Sequence, residues 1–577
     1  MMRHLTRSLV TRTLVTRSRP AGSWLGLSRR RVAGLAGQGP GDAGRPTPRP
    51  AADQGPAPRN QLGRRQRARA AVRWLVTTPG GRTVLGCGSA VATVVAAIVV
   101  ASVAAPPADR GARSAPAAEA PAETVTARVE VDAAANLGVL NNPANYQNQA
   151  DHSRALGPRD LERAAALRPT VMRAWVTPRG YYNVDTGQYT FDYVAPSGNS
   201  LYDYLDQVTG HGGELMLNID QCPRKLMTLD SPHTCREVLR AGIRHYKLRY
   251  PTLSYIELFN EPDKTWAVSP EDSQPLSVEE YYAWFSIAYR VINEINRELD
   301  PEIPLKLGGP VTYTFNRSYI EQFIELYSRD PNPAKRLDFI SYHQYQAREN
   351  PASVATEKAA VADWLRDRGL DPALPVFVTE YGVFPGDNAG TTFAADRLTQ
   401  AAAMATLGYY YIEGGLDMPM HWVFDHPTND RKSMFVDGVD GAVTPYYNMV
   451  LMQRMLGRDR LRAHSTALSA EGIGVNALAS ADPDRIAVLV TNYQWTTGVA
   501  THRVGLSVDN VPFADRPIVV TRYHVDSRTS NYDHDPEQAD LQVVEQYTVD
   551  PTDTAEITFV LEPNAISLVE LTAGPAR

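Results

Sequence analysis

Apolar positions recur along this chain in two alternating rhythms. Short runs of strand length lie near 135–140, 170–176, 213–218, 254–260, 305–309, 337–343, 375–380 and 417–424. Longer segments with apolar residues every three or four positions lie near 158–168, 201–210, 234–249, 277–299, 317–329, 354–369, 393–413 and 446–457. The helix predicted at 277 carries clear signals. Ser277 can cap it, Glu279 and Glu280 suit the positive N-terminal end, and Tyr282, Phe285, Ile287, Val291 and Ile295 supply the apolar stripe. Runs that are apolar throughout, each followed by a helix, are strands of a parallel sheet buried on both faces. Repetition of that unit predicts an α/β fold closed as a (β/α)8 barrel.

The rhythm changes near 458. Arg485–Thr491, Ile518–Tyr523 and Ala555–Leu561 are β-rich segments joined by connections carrying Asp, Asn and Pro, which predicts a C-terminal β-sandwich. Before the barrel the chain has a different character again. Residues 1–82 hold 17 Arg, no Lys and only Asp42 and Asp53 as acids, with dense Gly and Pro, which predicts disorder. From Thr83 to Ala108 there is no charged residue, and Val84–Val103 is long enough to cross a bilayer. Arginines on its N-terminal side orient it with the start of the chain inside and the body outside. The competing expectation is a signal peptide cleaved after Ser102-Val103-Ala104. The expected divisions are an Arg-rich cytoplasmic segment at 1–82, a transmembrane anchor at 83–106, an Ala/Pro linker at 107–124, the barrel at 125–457 and the sandwich at 458–577.

Charge narrows the partners. Of 58 basic and 64 acidic residues, 17 and 2 lie before residue 83, leaving 41 and 62 in the body, a net charge near −21. Such a surface repels nucleic acid, and none is expected as a partner. The expected contacts are a carbohydrate and, through the apolar segment, a membrane.

Candidate chemistry sits at the ends of two strands. Glu261 closes the run Tyr255–Asn260, and Glu380 closes Pro375–Thr379. A polar residue at the C-terminal end of a barrel strand points into the mouth where barrel enzymes act. Two carboxyls so placed can face one bond, and glycoside hydrolysis needs that pair: one donates a proton to the leaving oxygen while the other meets the electron-poor carbon. Asn-Glu-Pro alone is common at turns. Its weight comes from the eight-unit context.

Four stretches carry a resemblance: Phe259-Asn260-Glu261-Pro262-Asp263, Leu307-Gly308-Gly309-Pro310, Asp338-Phe339-Ile340-Ser341-Tyr342-His343 and Thr379-Glu380-Tyr381. A fifth, Tyr523–Asn531, lies in the sandwich region. In this order over about 130–575 the chain resembles glycoside hydrolase family 39, in clan A of the retaining glycosidases, which includes β-xylosidases and α-L-iduronidases. It departs from the family at Phe259, where Trp is usual, and in the loop holding Cys222 and Cys235. The resemblance implies that Glu380 is the nucleophile, Glu261 the acid/base, and Asn260 a ligand of the sugar 2-hydroxyl. It also implies that Val125–Val131 joins the sandwich.

Other candidates keep two readings each. Arg173 either holds Glu380 ionised or pairs with Glu257 inside the wall. His343 and Tyr345 end strand six as site residues, or His343 is a hydrogen-bonded structural group. Trp422 offers a face for a sugar ring or is core. Trp175, Trp266, Tyr181, Tyr182 and Tyr313 are candidate subsite aromatics, and Lys264 and Arg348 are candidate contacts for a substrate carboxylate. Cys222 and Cys235 either form a disulfide, worth roughly 3 kcal/mol, or are two buried thiols. No Cys/His spacing suits zinc and no phosphate loop appears, so no metal or cofactor is expected. The expected activity is retaining hydrolysis of a pentoside, uronide or cell-surface glycan, with endo-action on a polysaccharide and glycan binding without turnover as rivals.

Overall fold

The structure is a computed structural model and describes residues 124–149, 155–227, 232–264, 275–383, 396–426, 432–495 and 500–575. These belong to one compact unit, Ala118–Arg577. Eight parallel strands close into a barrel: Tyr146–Asn148, Val171–Val176, Glu214–Ile219, Leu253–Leu258, Lys306–Thr312, Phe339–Gln344, Val376–Tyr381 and Met418–His421. The helices between them follow the sequence pattern closely. In Val278–Leu299, Ser277 accepts from the Glu280 N–H at 3.2 Å while the Glu280 carboxylate accepts from the Ser277 N–H at 2.8 Å, so two otherwise unpaired donors are satisfied.

One expected element is misplaced. The run 135–140 is not the first barrel strand but the end of a long strand, Thr124–Val139, that belongs to the sandwich. Leu137 and Val139 are exposed there. The first barrel strand is only Tyr146–Asn148, registered against Val171–Arg173 and bridged to His421. It contains no apolar run. Both of its neighbours exclude water, so its backbone pairs without the hydrophobic pattern that marks the other strands.

The barrel interior is layered because side chains two apart on a strand share a face. Val171, Met216, Phe339, Phe377, Met418 and Met420 pack as an apolar floor with Tyr146 and Tyr255. Two residues further on, Arg173 and Glu257 replace Val171 and Tyr255, and the layer toward the C-terminal mouth becomes polar.

The second domain is one curled sheet of nine strands, in the order Gln542–Val549, Ile518–Val525, Ile566–Ala573, Arg485–Tyr493, Gly474–Asp482, Asp459–Ser465, Thr124–Val139, Thr501–Asp509 and Thr554–Leu561. Thr554–Leu561 alternates strictly: Ala555, Ile557, Phe559 and Leu561 are buried and the residues between them exposed. Val125–Val131 joins this sheet, as the family resemblance implied. Buried polar contacts fix the domain to the barrel: Asn448 donates to the carbonyls of Ser530 at 2.9 Å and Ala539 at 2.7 Å, and Asn476 to Thr406 Oγ1 at 2.9 Å. Cys222 and Cys235 form a disulfide, both sulfurs buried, which ties the loop after the third barrel strand to the helix Pro232–Arg249. The apolar segment Val84–Val103 lies outside the described residues, among which no helix is long and apolar enough to cross a membrane.

Candidate active site

The polar layer is organised by Arg173. Fully buried on the second strand, its Nε donates to Glu257 Oε2 at 2.7 Å and its Nη1 to Glu380 Oε1 at 2.7 Å. Nη1 also reaches Asn148 Oδ1 at 3.3 Å, and Nη2 donates to Asn260 Oδ1 at 3.1 Å. The two readings of Arg173 are therefore both realised: one planar cation joins the wall carboxylate to the one at the mouth.

Adjacent residues on a strand ordinarily point to opposite sides, yet Asn260 and Glu261 both face the mouth. The backbone explains this. Phe259 and Glu261 have φ of 64° and 46°, left-handed values that non-glycine residues rarely adopt. The turn is held from both sides: Phe259 N–H donates to Ile219 O at 2.8 Å, Asn218 Nδ2 to Phe259 O at 3.0 Å, and Glu261 N–H to Val311 O at 3.0 Å. On the seventh strand a register shift between Val378 and Glu380 does similar work, setting Glu380 opposite His343.

Glu261 and Glu380 meet through His343. One oxygen of each carboxyl and a ring nitrogen of His343 lie within 4.8 Å of one another. His343 Nδ1 is 2.7 Å from Glu261 Oε1 and 3.4 Å from Glu380 Oε2, and Nε2 is 3.4 Å from Arg173 Nη2. Arginine only donates, so Nε2 accepts and Nδ1 carries the hydrogen. Burial, reinforced by Arg173 and then Lys264, holds the His343 pKa well below its ordinary value, so the ring is neutral. These three residues are also the types that ligate metals, brought together from strands four, six and seven where spacing along the chain gave no sign of it. In the structure, Arg173 supplies the positive charge at that point.

The two carboxyls differ in surroundings. Glu261 is 1 % exposed; burial and then the charge of Glu380 push its pKa well above the carboxylate range. Its Oε2 has no hydrogen-bond partner among the described residues. Burial raises Glu380 too, but Arg173 and a 2.6 Å hydrogen bond from the Tyr345 hydroxyl pull it back. Both carboxyls are shifted upward, Glu261 the more strongly, so Glu261 is the one held further toward the protonated form.

Aromatic rings wall the site. Trp175 and Trp422 meet edge to face at 5.3 Å, with Arg173 stacked 4.3 Å from the Trp175 ring, and Tyr313 lies alongside Tyr345 at 6.3 Å. Trp422 is only 7 % exposed, and its indole N–H has no partner among the described residues. Tyr181 belongs instead to the core, donating to Val238 O at 3.2 Å, and Tyr182 packs against Tyr189 with ring centres 4.9 Å apart. Trp266 lies outside the described residues. Sequence reasoning missed Asn148 and Asn218. Asn148 carries no motif, and its contacts to Arg173 and to the carbonyls of Thr379 at 2.9 Å and His421 at 3.1 Å exist only once the barrel has closed.

No protein-family model matches the sequence, and no curated protein does. Solved structures do. A GH39 enzyme from Xanthomonas axonopodis pv. citri superposes with a TM-score of 0.57 at 14 % identity, covering 78 % of this chain and 98 % of that one. The chain shares the fold of that enzyme. A monomeric β-xylosidase from Caulobacter crescentus has this fold too, with a TM-score of 0.57, 13 % identity, and 77 % and 99 % of the two chains covered. So does a bacterial orthologue of human α-L-iduronidase, with a TM-score of 0.59, 12 % identity, and 78 % and 84 % covered. In this fold the two carboxyls described above stand at the C-terminal ends of the fourth and seventh barrel strands, where the sequence motifs put them.

Proposed function

We propose that this protein is a retaining glycoside hydrolase acting by double displacement. The observation that carries the reading is the pair of carboxyl oxygens within 4.8 Å in unlike environments. Retaining enzymes hold their carboxyls about 5–5.5 Å apart, and inverting ones need about 6.5–9.5 Å to admit a water. In the first step Glu261 Oε2 gives its proton to the glycosidic oxygen as that bond breaks, while Glu380 bonds to the anomeric carbon. In the second, Glu261, now ionised, takes a proton from water, which displaces Glu380 from that carbon. Asn260 binds the 2-hydroxyl, and the Trp422 N–H meets a further hydroxyl. The neutral His343, donating to Glu261 Oε1, leaves Oε2 as the oxygen that bears the proton.

The neighbours named as a β-xylosidase and an α-L-iduronidase orthologue support a pentoside or uronide as substrate. A panel of nitrophenyl glycosides, followed by NMR of the first-formed sugar, tests the reading. Hydrolysis with the anomeric configuration retained is expected, and an inverted first product would overturn it.

The location proposed is the cell exterior, on a membrane anchor at 83–106. Full-length protein should sediment with membranes and resist carbonate extraction, and protease added to intact cells should release a fragment containing the barrel. A mature N-terminus at Ala105 in the culture fluid would replace the anchor with secretion.

A further inference from the structure

His343 and Tyr345, which touch the two carboxyls, are themselves held from outside the barrel. Side chains two apart on a strand share a face, so Phe339 and His343 point into the barrel while Ile340, Tyr342 and Gln344 point toward the helices. Glu357 is buried at the start of the helix Glu357–Asp367, against the two outward polar side chains. Its Oε2 accepts from the Tyr342 hydroxyl at 2.8 Å and its Oε1 from Gln344 Nε2 at 2.7 Å. One carboxyl thus grips the strand on both sides of His343.

Gln344 carries the grip onward. Its side-chain oxygen accepts from the Gln346 N–H at 3.0 Å, and its carbonyl accepts from the Gly382 N–H at 3.2 Å. Those two bonds bracket the turn that presents Tyr345, whose hydroxyl donates to Glu380 Oε2 at 2.6 Å. A side-chain amide bonded through both its oxygen and its nitrogen has its plane fixed. Glu357, outside the barrel, is in this way connected to the carboxyl inside it.

The fold alone does not call for an acid here. Phe315 packs on Tyr342 with ring centres 4.8 Å apart, and Trp364 on Phe315 at 5.8 Å, so a leucine would fill the place with less cost in desolvation. Burial pushes the Glu357 pKa up to about 7, and the hydrogen bonds from Tyr342 and Gln344 draw it back. Arg317, stacked 5.5 Å from the Phe315 ring, lowers it as well, and the charge of Glu357 in turn raises the buried Tyr411 on the helix Arg397–Glu413.

We propose that Glu357 is a positioning residue for catalysis: by holding Tyr342 and Gln344 together, it sets where His343 and Tyr345 meet Glu261 and Glu380. The proposal deepens the glycosidase reading and rests on Glu380 being the nucleophile.

Full-length wild type, Glu357→Leu and Glu357→Gln are compared on one 4-nitrophenyl glycoside. Leucine fills the volume and accepts no hydrogen bond, whereas glutamine can still accept from Gln344 and donate to the Tyr342 oxygen. Glu357→Leu should lower kcat by about tenfold or more with KM nearly unchanged. It should also move the acid limb of the kcat/KM profile up by about one pH unit, because Glu380 loses the Tyr345 hydrogen bond that lowers its pKa. Glu357→Gln should bring both kcat and the acid limb back toward wild type. A carboxyl that served stability alone would change Tm and leave the limb in place, and that result in folded Glu357→Leu would overturn the proposal. If Glu357→Leu does not fold, Tyr342→Phe and Gln344→Met each release one arm of the grip and are read in the same way. If wild type turns over no glycoside at all, the glycosidase reading fails separately, and crystal structures of wild type and the variants decide the positioning role. A Tyr345 hydroxyl withdrawn from Glu380 supports it, and an unmoved one overturns it.

Discussion

Replacing Glu380 by Ala should lower kcat on an activated aryl glycoside by about 10⁴-fold or more, and added azide should restore turnover with a glycosyl azide of inverted configuration. The small anion enters the space left by the carboxylate and attacks the anomeric carbon while Glu261 still protonates the leaving group. Glu261→Ala should behave differently. Substrates with good leaving groups need little protonation, so the first step survives and the glycosyl-enzyme accumulates. Azide then intercepts that intermediate and gives a product of retained configuration. Both results follow from the contrast between Glu380, bonded on both oxygens, and Glu261, whose Oε2 stands open. NMR of the two azide products decides the matter, and identical behaviour of the variants would refute the roles.

Arg173 carries the second large effect. Removing it strands two buried carboxylates, Glu257 and Glu380, without their shared cation. Arg173→Ala should cost about 3–5 kcal/mol of stability and lower kcat/KM by about 10²–10³-fold or more. Its positive charge favours the ionised form of Glu380, so without it the Glu380 pKa rises and the acid limb of the kcat/KM profile moves to higher pH. Arg173→Lys keeps the charge but cannot bridge both carboxylates, and should restore the acid limb more fully than the stability. An unchanged acid limb in a folded Arg173→Ala protein would show that the arginine is only structural.

What was legible in the sequence depended on whether a function left a mark on the hydrophobic pattern. The strands ending in Glu261 and Glu380 are buried on both faces, so each appears as an apolar run with a polar residue at its end, and the barrel and its two carboxyls followed. Tyr146–Asn148 leaves no such mark, being three residues held by backbone pairing, and its Asn148 went unseen with it. The run before it misled for a related reason: strand and loop residues of the sandwich share the composition of a barrel strand but not its burial, as the exposed Val139 shows. Arg173 kept two interpretations because a guanidinium has several donors, and only the distances reveal that both carboxylates are served. The convergence of Asn260 and Glu261 on one site depends on left-handed backbone at Phe259 and Glu261, which no side-chain pattern announces.

The position of Thr124–Val139 in the middle of the nine-stranded sheet bears on how the chain is made. Of the nine strands of its sheet this one leaves the ribosome first, yet its neighbours there are Asp459–Ser465 and Thr501–Asp509. Some 320 residues, from 139 to 459, separate it from the nearer of them. At roughly 5–20 residues per second, synthesis of that interval takes some tens of seconds. Throughout it Ala127, Val129 and Val131, wholly shielded in the finished molecule, have no sheet to enter while the barrel completes itself beside them. The newborn chain therefore carries an open, apolar β-edge for most of its translation, and the interval before the sandwich closes is when chaperones, or aggregation, have their opportunity.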